Sequence, residues 1–314
     1  MTLTRDAPPS GRTEPVGTVP PRRPTPPTSS SFGRWFRAVG WRHLVALAAL
    51  FFALFPVIWI VSASFNPSGS LNSQTLIPSD PSLENYRTLF TDEDVPFLRW
   101  FWNTILIVGL ATIMNTFLCA LAAYAFSRLR FAGRRTGLLT VLLVQMFPQL
   151  AAVIAIFSIM QNLGRVFPAI GIGTQLGLIL VYMGGALGVN TWLMKGFFDT
   201  LPHSLDESAI IDGATHWQIF SRIILPLATP ILAIVALLSF IFGINEFVLA
   251  SVLLNDTNEF TLSVGLFRFI DGQFGQNWGA FAAGAVLASL PVIVLWQFLQ
   301  RYVVSGLTSG AVKG

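Results

Sequence analysis

Residues 204–226 read SLDESAIIDGATHWQIFSRIILP, a polar, glycine-hinged stretch set between long apolar runs. Ser204 followed three residues on by Glu207 has the spacing of a capping box that opens a helix. Gly213 supplies a position that tolerates positive φ, suited to ending that helix. Thr215 and Gln218 form a second box, and Pro226 ends or kinks the helix it starts. The pattern predicts helix, glycine turn, helix. Leu205 and Ala209 share one side of the first helix, and Trp217, Phe220 and Ile224 share one side of the second. Each helix is about two turns long or slightly longer, too short to be stable alone in water. Another surface must bury these faces: the chain's own bundle, lipid, or a partner protein. A helix lying on lipid usually carries Lys or Arg on its polar face. The first helix instead carries Asp206, Glu207 and Asp212, which an anionic leaflet would repel. A partner bearing basic residues fits better.

The flanking runs set the fold class. The 314 residues are 53% hydrophobic and only 11% charged, where a soluble domain carries about 25% charged residues. A mean hydropathy of +0.65 agrees, so lipid is the main solvent of the chain. Six windows, at roughly 44–64, 101–126, 137–160, 176–194, 228–254 and 279–300, have about the 20 apolar residues that a bilayer crossing needs. Pro56, Pro148 and Pro291 lie within them, where neighbouring helices can satisfy the freed carbonyls. With the N-terminus inside, fifteen of the nineteen Lys and Arg residues fall on cytoplasmic segments, which places both termini in the cytoplasm by the positive-inside rule. That distribution explains the basic balance without nucleic acid. Residues 1–31, rich in Pro, Ser and Thr, are expected to be a disordered cytoplasmic tail. The first apolar run exceeds a signal-peptide core and is expected to be retained. The single cysteine, Cys119, lies in an apolar run and excludes a disulfide within the chain. The loops 65–100 and 255–278 have the length to touch a partner on the outer face or to serve as solvated connectors.

Residues 204–226 resemble the EAA loop of permease subunits in binding-protein-dependent ABC importers. The family's pattern of E-A-A, three residues, G, nine residues and I-x-L-P stands here as Glu207-Ser208-Ala209, Gly213 and Ile223-Ile224-Leu225-Pro226. AYAFSRLRF at 123–131, QMFP at 145–148, DGATHWQIF at 212–220 and GLTSGAVKG at 306–314 are similar to permeases of the maltose/maltodextrin type, and the likeness covers essentially everything after residue 40. The resemblance implies an all-α integral membrane protein, a type I importer permease. It would have six transmembrane helices and a cytoplasmic coupling-helix loop at 200–226. The chain would divide into a tail at 1–40, a permease domain at 41–304 and a C-terminal tail at 305–314 that reaches between the ATPase subunits. Glu207, Ser208, Ala209, Asp212, Gly213, Trp217, Phe220, Leu225 and Pro226 would couple to an ATPase. Glu207 would face a basic residue there. The implied partners are a second permease subunit in a heterodimer, two cytoplasmic ATPase subunits, an extracytoplasmic sugar-binding protein and the lipid of a bacterial cytoplasmic (inner) membrane. No cofactor is implied.

The chain is not expected to be an enzyme. It contains no GxxxxGK[ST] loop for a nucleotide phosphate, and no HExxH or CxxC spacing for a metal. His43, His203 and His216 are scattered. Polar groups inside spans are costly unless they face the bundle interior. Here they include Asn115, Gln145, Gln149, Asn190, Asn245 and Glu246. Glu246, Asn245 and Gln145 are the candidates for a substrate pathway. Glu246, the only acid in a span, leads them, though placement near the outer end of the fifth helix, where solvent or an interhelical hydrogen bond satisfies it, explains it slightly better. In the family, a loop corresponding to the one holding DGQFGQNWG (271–279) probes the binding protein, which makes Gln273, Gln276 and Asn277 candidate contacts. The small residues of AAGAVLAS at 282–289 suit close helix packing. The sugar stays open among maltose, maltodextrins and trehalose. A gradient-driven secondary carrier would show more intramembrane charge or internal repeats, and these are not evident.

Overall fold

The computed structural model describes residues 35–67, 69, 75–185, 187–272 and 276–311. Among these there are helices, turns and no strands. The chain falls into two units, residues 1–55 and 56–314. The expected tail at 1–31 lies outside the described residues. In the first unit a short π-helical turn, Phe36–Gly40, leads into α1 (Trp41–Ser64), which continues into the second unit. Leu44, Val45, Leu47, Phe51 and Phe52 of α1 are exposed, the surface of a helix whose solvent is hydrocarbon.

The second unit holds α2 (Glu84–Thr91), α3 (Phe97–Arg128), α4 (Arg134–Gln145), α5 (Gln149–Val166), α6 (Gln175–Gly185), α7 (Leu187–Thr200) and α8 (Ser204–Ile211). There follow α9 (His216–Leu227), α10 (Thr229–Asn245), α11 (Val248–Leu253), α12 (Leu262–Phe267) and α13 (Trp278–Ala311). Three helices, α1, α3 and α13, are each long and apolar enough to cross a membrane. Among the described residues, counting each of the bent pairs α6 with α7 and α9 with α10 as one span brings the number to five. The expected single span at 137–160 is two helices, α4 and α5, because Pro148 has no N–H to donate and disfavours helical backbone at Phe147. The expected span at 228–254 is likewise divided, at Glu246 and Phe247. The last helix runs past residue 304, where a tail was expected to begin, as far as Ala311.

Three buried clusters follow one another along α3. Phe97 and Trp100 near its start pack with Leu89, Leu262, Leu266 and Ala283. Ile107, Val108 and Ala111 pack with residues of α6, α10, α11 and α12. Cys119, Ala120, Ala123 and Tyr124 near its end pack with α7, α8, α9 and α10. The 32-residue α3 is therefore the shaft around which the bundle is built. Described parts of the two long loops are fastened down, the first to the end of α1 and the second to the first turns of α3. Asn85 Nδ2 donates to the carbonyls of Ser64 (3.0 Å) and Asn66 (2.8 Å). Trp100 Nε1 donates to Thr257 O at 2.7 Å, Asn103 Nδ2 donates to Asn258 O and Phe260 O, and Thr104 Oγ1 accepts from Leu262 N.

Close approach depends on Gly265, where an added Cβ would run into the Trp100 ring, itself only 1% exposed. Gly265→Ala is therefore expected to destabilise the chain by about 1–3 kcal/mol through overpacking. Gly196→Ala, whose Cβ meets nothing within 4 Å, should leave stability unchanged or slightly raised. Thermal unfolding of the two variants in detergent separates these outcomes.

Candidate functional site

The segment 201–228 is built as the sequence suggests at its turn and differently at its start. Gly213 has φ +82°, and the helix before it closes in a Schellman arrangement. Ala214 N donates to Ala209 O (2.9 Å) and Gly213 N to Ile210 O (3.0 Å). The Thr215–Gln218 capping box is formed: Gln218 N donates to Thr215 Oγ1, and Thr215 N donates to Gln218 Oε1 at 2.7 Å. The box expected at Ser204 and Glu207 is not formed. His203 occupies the N-cap with helical backbone (φ −64°, ψ −24°), whereas a side-chain cap needs extended backbone there. Pro202 starts the turn early, so Ser204 is already inside the helix. In α9, a π-helical stretch at Phe220–Ile224 precedes Pro226, and the chain then bends by 79° into α10. Helix insertions of this kind recur at functional sites.

The buried side of the segment rests in the last cluster on α3. Ala209, Ile219, Phe220 and Ile224 are buried with Tyr124, Met194, Phe198 and Ile231, and the Phe220 and Tyr124 ring centroids lie 5.2 Å apart. Leu205, expected beside Ala209, is at the rim and exposed. The residue that shares the inward face with Ala209 is Asp206, three positions before it. This corrects the reading of Asp206 as part of an outward acidic face. Its carboxylate meets Arg128, the last residue of α3, with Nε and Oδ2 2.9 Å apart and side chains 4% and 13% exposed. The pair makes ionic contact without an aligned hydrogen bond, leaving Arg128 Nη1 and Asp206 Oδ1 without one as well. Arg128 Nη2 donates to Leu201 O at 3.0 Å. Beside it, Ser127 Oγ donates to Asp199 Oδ1 (2.7 Å), and Lys195 pairs with Asp199 Oδ2. Neither Asp206 nor Arg128 was a candidate from the sequence, because their pairing joins residues far apart in the chain. The outward side presents Glu207, Ser208, Asp212 and Gly213, with Trp217 57% and Ile211 86% exposed. Leu225 is half-buried and Pro226 exposed.

The pathway candidates do not come together as one set. Asn245 and Glu246 line a cavity of about 430 Å³ with Val153, Ile241, Phe242, Phe247, Val248 and Leu249. Gln145 is elsewhere, its carboxamide lying against Gly188 of α7 where a Cβ would otherwise be. Glu246 is buried, and of the two alternatives, solvent or an interhelical bond, it makes the second, accepting from Tyr182 Oη at 2.8 Å. In the loop after α12, Gln276 is exposed and Asn277 Oδ1 accepts from Ala280 N. Asn277 also borders a cavity of about 780 Å³ with Asp92, Asp94, Trp100 and Arg268. Gln273 lies outside the described residues. Among the described residues, no cluster of His, Cys, Asp and Glu is placed to hold a metal ion.

Long apolar helices around α3, with a short capped helix pair seated at its end, define a multi-span helical membrane protein. Residues 115–309 match the family described as binding-protein-dependent transport system inner membrane component, and the chain belongs to that family. It is 40% identical over 285 residues to the maltose/maltodextrin transport system permease protein MalG of Vibrio vulnificus (strain YJ016), covering 87% of this chain and 95% of the relative. It is 44% identical over 263 residues to the galactooligosaccharides transport system permease protein GanQ of Bacillus subtilis (strain 168), covering 83% and 90%. Against the crystal structure of a bacterial ABC transporter involved in import of the acidic polysaccharide alginate, the TM-score is 0.70 at 26% identity, over 88% of this chain and 99% of that one. A second structure, of a bacterial alginate ABC transporter with its alginate pentasaccharide-bound periplasmic protein, shares the fold with a TM-score of 0.63 at 18% identity. The chain is thus the permease component of a binding-protein-dependent ABC sugar importer.

Proposed function

We propose that the chain carries maltose and maltodextrin-like sugars across a bacterial inner membrane as one half of a permease heterodimer, powered by ATP hydrolysis on two cytoplasmic ATPase subunits. The observation that carries this reading is the helix pair at 204–227. Its buried side is seated on α3, α7 and α10, while its outer side holds Glu207, Trp217 and Ile211 in the open. An exposed acid beside exposed aromatic and aliphatic side chains suits a basic, grooved protein surface. Closure of the ATPase pair would move this helix pair, and the bundle would exchange outward- and inward-facing arrangements as a population shift. Both termini are cytoplasmic in this reading, on the strength of the Lys and Arg distribution. Gln273, Gln276 and Asn277 would meet the sugar-loaded binding protein. Asn245 would face the solute on its way. The relation to GanQ supports a second reading in which galactooligosaccharides are carried; trehalose is a third.

The test is reconstitution of the full transporter in proteoliposomes, with its binding protein loaded by each sugar in turn. Maltose or a maltodextrin is expected to stimulate ATPase activity most, and stimulation by galactooligosaccharides or trehalose alone would move the substrate accordingly. Glu207→Lys is expected to lower transport at least tenfold by placing like charges at the docking surface; undiminished transport would remove ionic docking from the account.

A further inference from the structure

We infer that Glu246 is a positioning residue that holds a deliberate break in the fifth apolar stretch, and is not a ligand for solute or ion. The inference rests on the permease reading above and deepens it. Helix α10 stops at Asn245 inside an apolar run, with no proline at the break. A helix interrupted in apolar surroundings strands its terminal N–H and C=O groups. Glu246 supplies acceptors for the stranded N–H groups of the next helix. Its Oε1 accepts from Leu249 N at 2.7 Å and its Oε2 from Ala250 N at 3.0 Å, so one side chain caps the start of α11. Oε2 also accepts from Tyr182 Oη of α6, and the backbone carbonyl of Glu246 accepts from Ser263 Oγ of α12 at 2.8 Å. Four helices, α6, α10, α11 and α12, are thereby tied at one residue.

Both carboxylate oxygens are committed, so little of the acid remains to bind anything else. Beside the break lies the cavity of about 430 Å³, which Asn245 helps to line. Asn245 is exposed, and its Nδ2 donates back to Ile241 O at 2.7 Å. An uncharged carboxamide beside apolar walls suits a neutral hydroxylated solute better than an ion. The geometry also links the two ends of α10. Its 17 residues form a rod about 25 Å long, beginning at the 79° bend beside the helix pair and ending at Glu246. A displacement at the bend reaches the cavity through a rod whose far end Glu246 anchors.

The test uses the complete transporter and three variants. Glu246→Gln keeps an oxygen acceptor without charge, Glu246→Leu removes both acceptors, and Tyr182→Phe removes one bond and leaves the backbone cap intact. Transport by Glu246→Leu is expected to fall at least tenfold in maximal rate. Glu246→Gln, whose amide nitrogen cannot accept one of the two backbone bonds, is expected to fall between native and Glu246→Leu, and Tyr182→Phe to lower the maximal rate with sugar KM unchanged. Native transport by Glu246→Leu would overturn the inference. A second readout is independent of sugar import: labelling of Asn245→Cys by a membrane-impermeant maleimide, with the buried Cys119 replaced by serine. Labelling is expected in the otherwise native chain and lost when Glu246→Leu is added. Labelling equal in both backgrounds would overturn the inference even if the chain imported no sugar, and its loss would sustain the inference if the import reading failed.

Discussion

Asp206→Ala is expected to destabilise the folded chain by about 3–5 kcal/mol, because removing one partner of a buried ion pair strands the other. Arg128 would be left with Nε and Nη1 buried against α8 and no counter-charge. The loss should be local in its first effect. Helix α8 has only eight residues and depends on tertiary contact, and the inward face it offers consists of Asp206 and Ala209. Limited proteolysis in detergent should therefore cut between residues 201 and 214 well before the rest of the bundle, and thermal unfolding should shift down. The paired replacement Arg128→Met with Asp206→Leu should recover most of the stability, since an apolar pair of similar volume often equals or exceeds a buried ion pair. In the assembled transporter, the single variant should leave ATP hydrolysis less responsive to the loaded binding protein. Native protease resistance in Asp206→Ala would mean that apolar packing alone seats α8.

This pair also shows where the sequence is legible and where it is not. The turn at Gly213, the Thr215–Gln218 box and the bend after Pro226 depend on residues within a few positions of each other, and each is readable from spacing. The apolar windows are equally local, since a helix in lipid needs only length and hydropathy. Asp206 was misassigned because facing Arg128 is a tertiary event; the i, i+4 pair Leu205 and Ala209 suggested a face rotated by one residue from the true one. The Ser204 box failed for a subtler reason, in that Pro202 and His203 begin the helical backbone early and deprive Ser204 of the extended conformation a cap requires. The break at Glu246 carries no proline signal, and it exists because a side chain there caps the next helix while Tyr182 of α6 holds it in place. Glu246 as the lone acid of the spans was visible; its task was not. Gln145, Asn245 and Glu246 all read as polar residues in apolar runs, and only packing separates the first from the cavity of the other two.

Gly213→Pro should abolish retention of the ATPase subunit by the proposed coupling segment, while the bundle stays folded. At φ +82° the glycine backbone lies where proline, held near φ −65°, cannot go. Proline also removes the N–H that donates to Ile210 O, one of the two bonds closing the Schellman turn. The path between α8 and α9 must then change by a large rotation, and Glu207 and Trp217 could no longer present themselves on one surface. Gly213→Ala separates conformation from bulk. Nothing lies within 4 Å of its added Cβ, so its cost is only the left-handed backbone penalty of about 1–2 kcal/mol. The alanine variant should keep the ATPase subunit at reduced yield, and the proline variant should lose it, when each is co-purified in detergent beside the native chain. A single symmetrical peak in size-exclusion chromatography would show that both variants remain folded. The buried footing of α9 argues that they do, because Ile219, Phe220 and Ile224 are held by α3, α7 and α10 and not by the turn. Full ATPase retention by a folded Gly213→Pro chain would move the docking surface away from residues 204–226, leaving Tyr124, Phe220 and their neighbours as ordinary bundle packing.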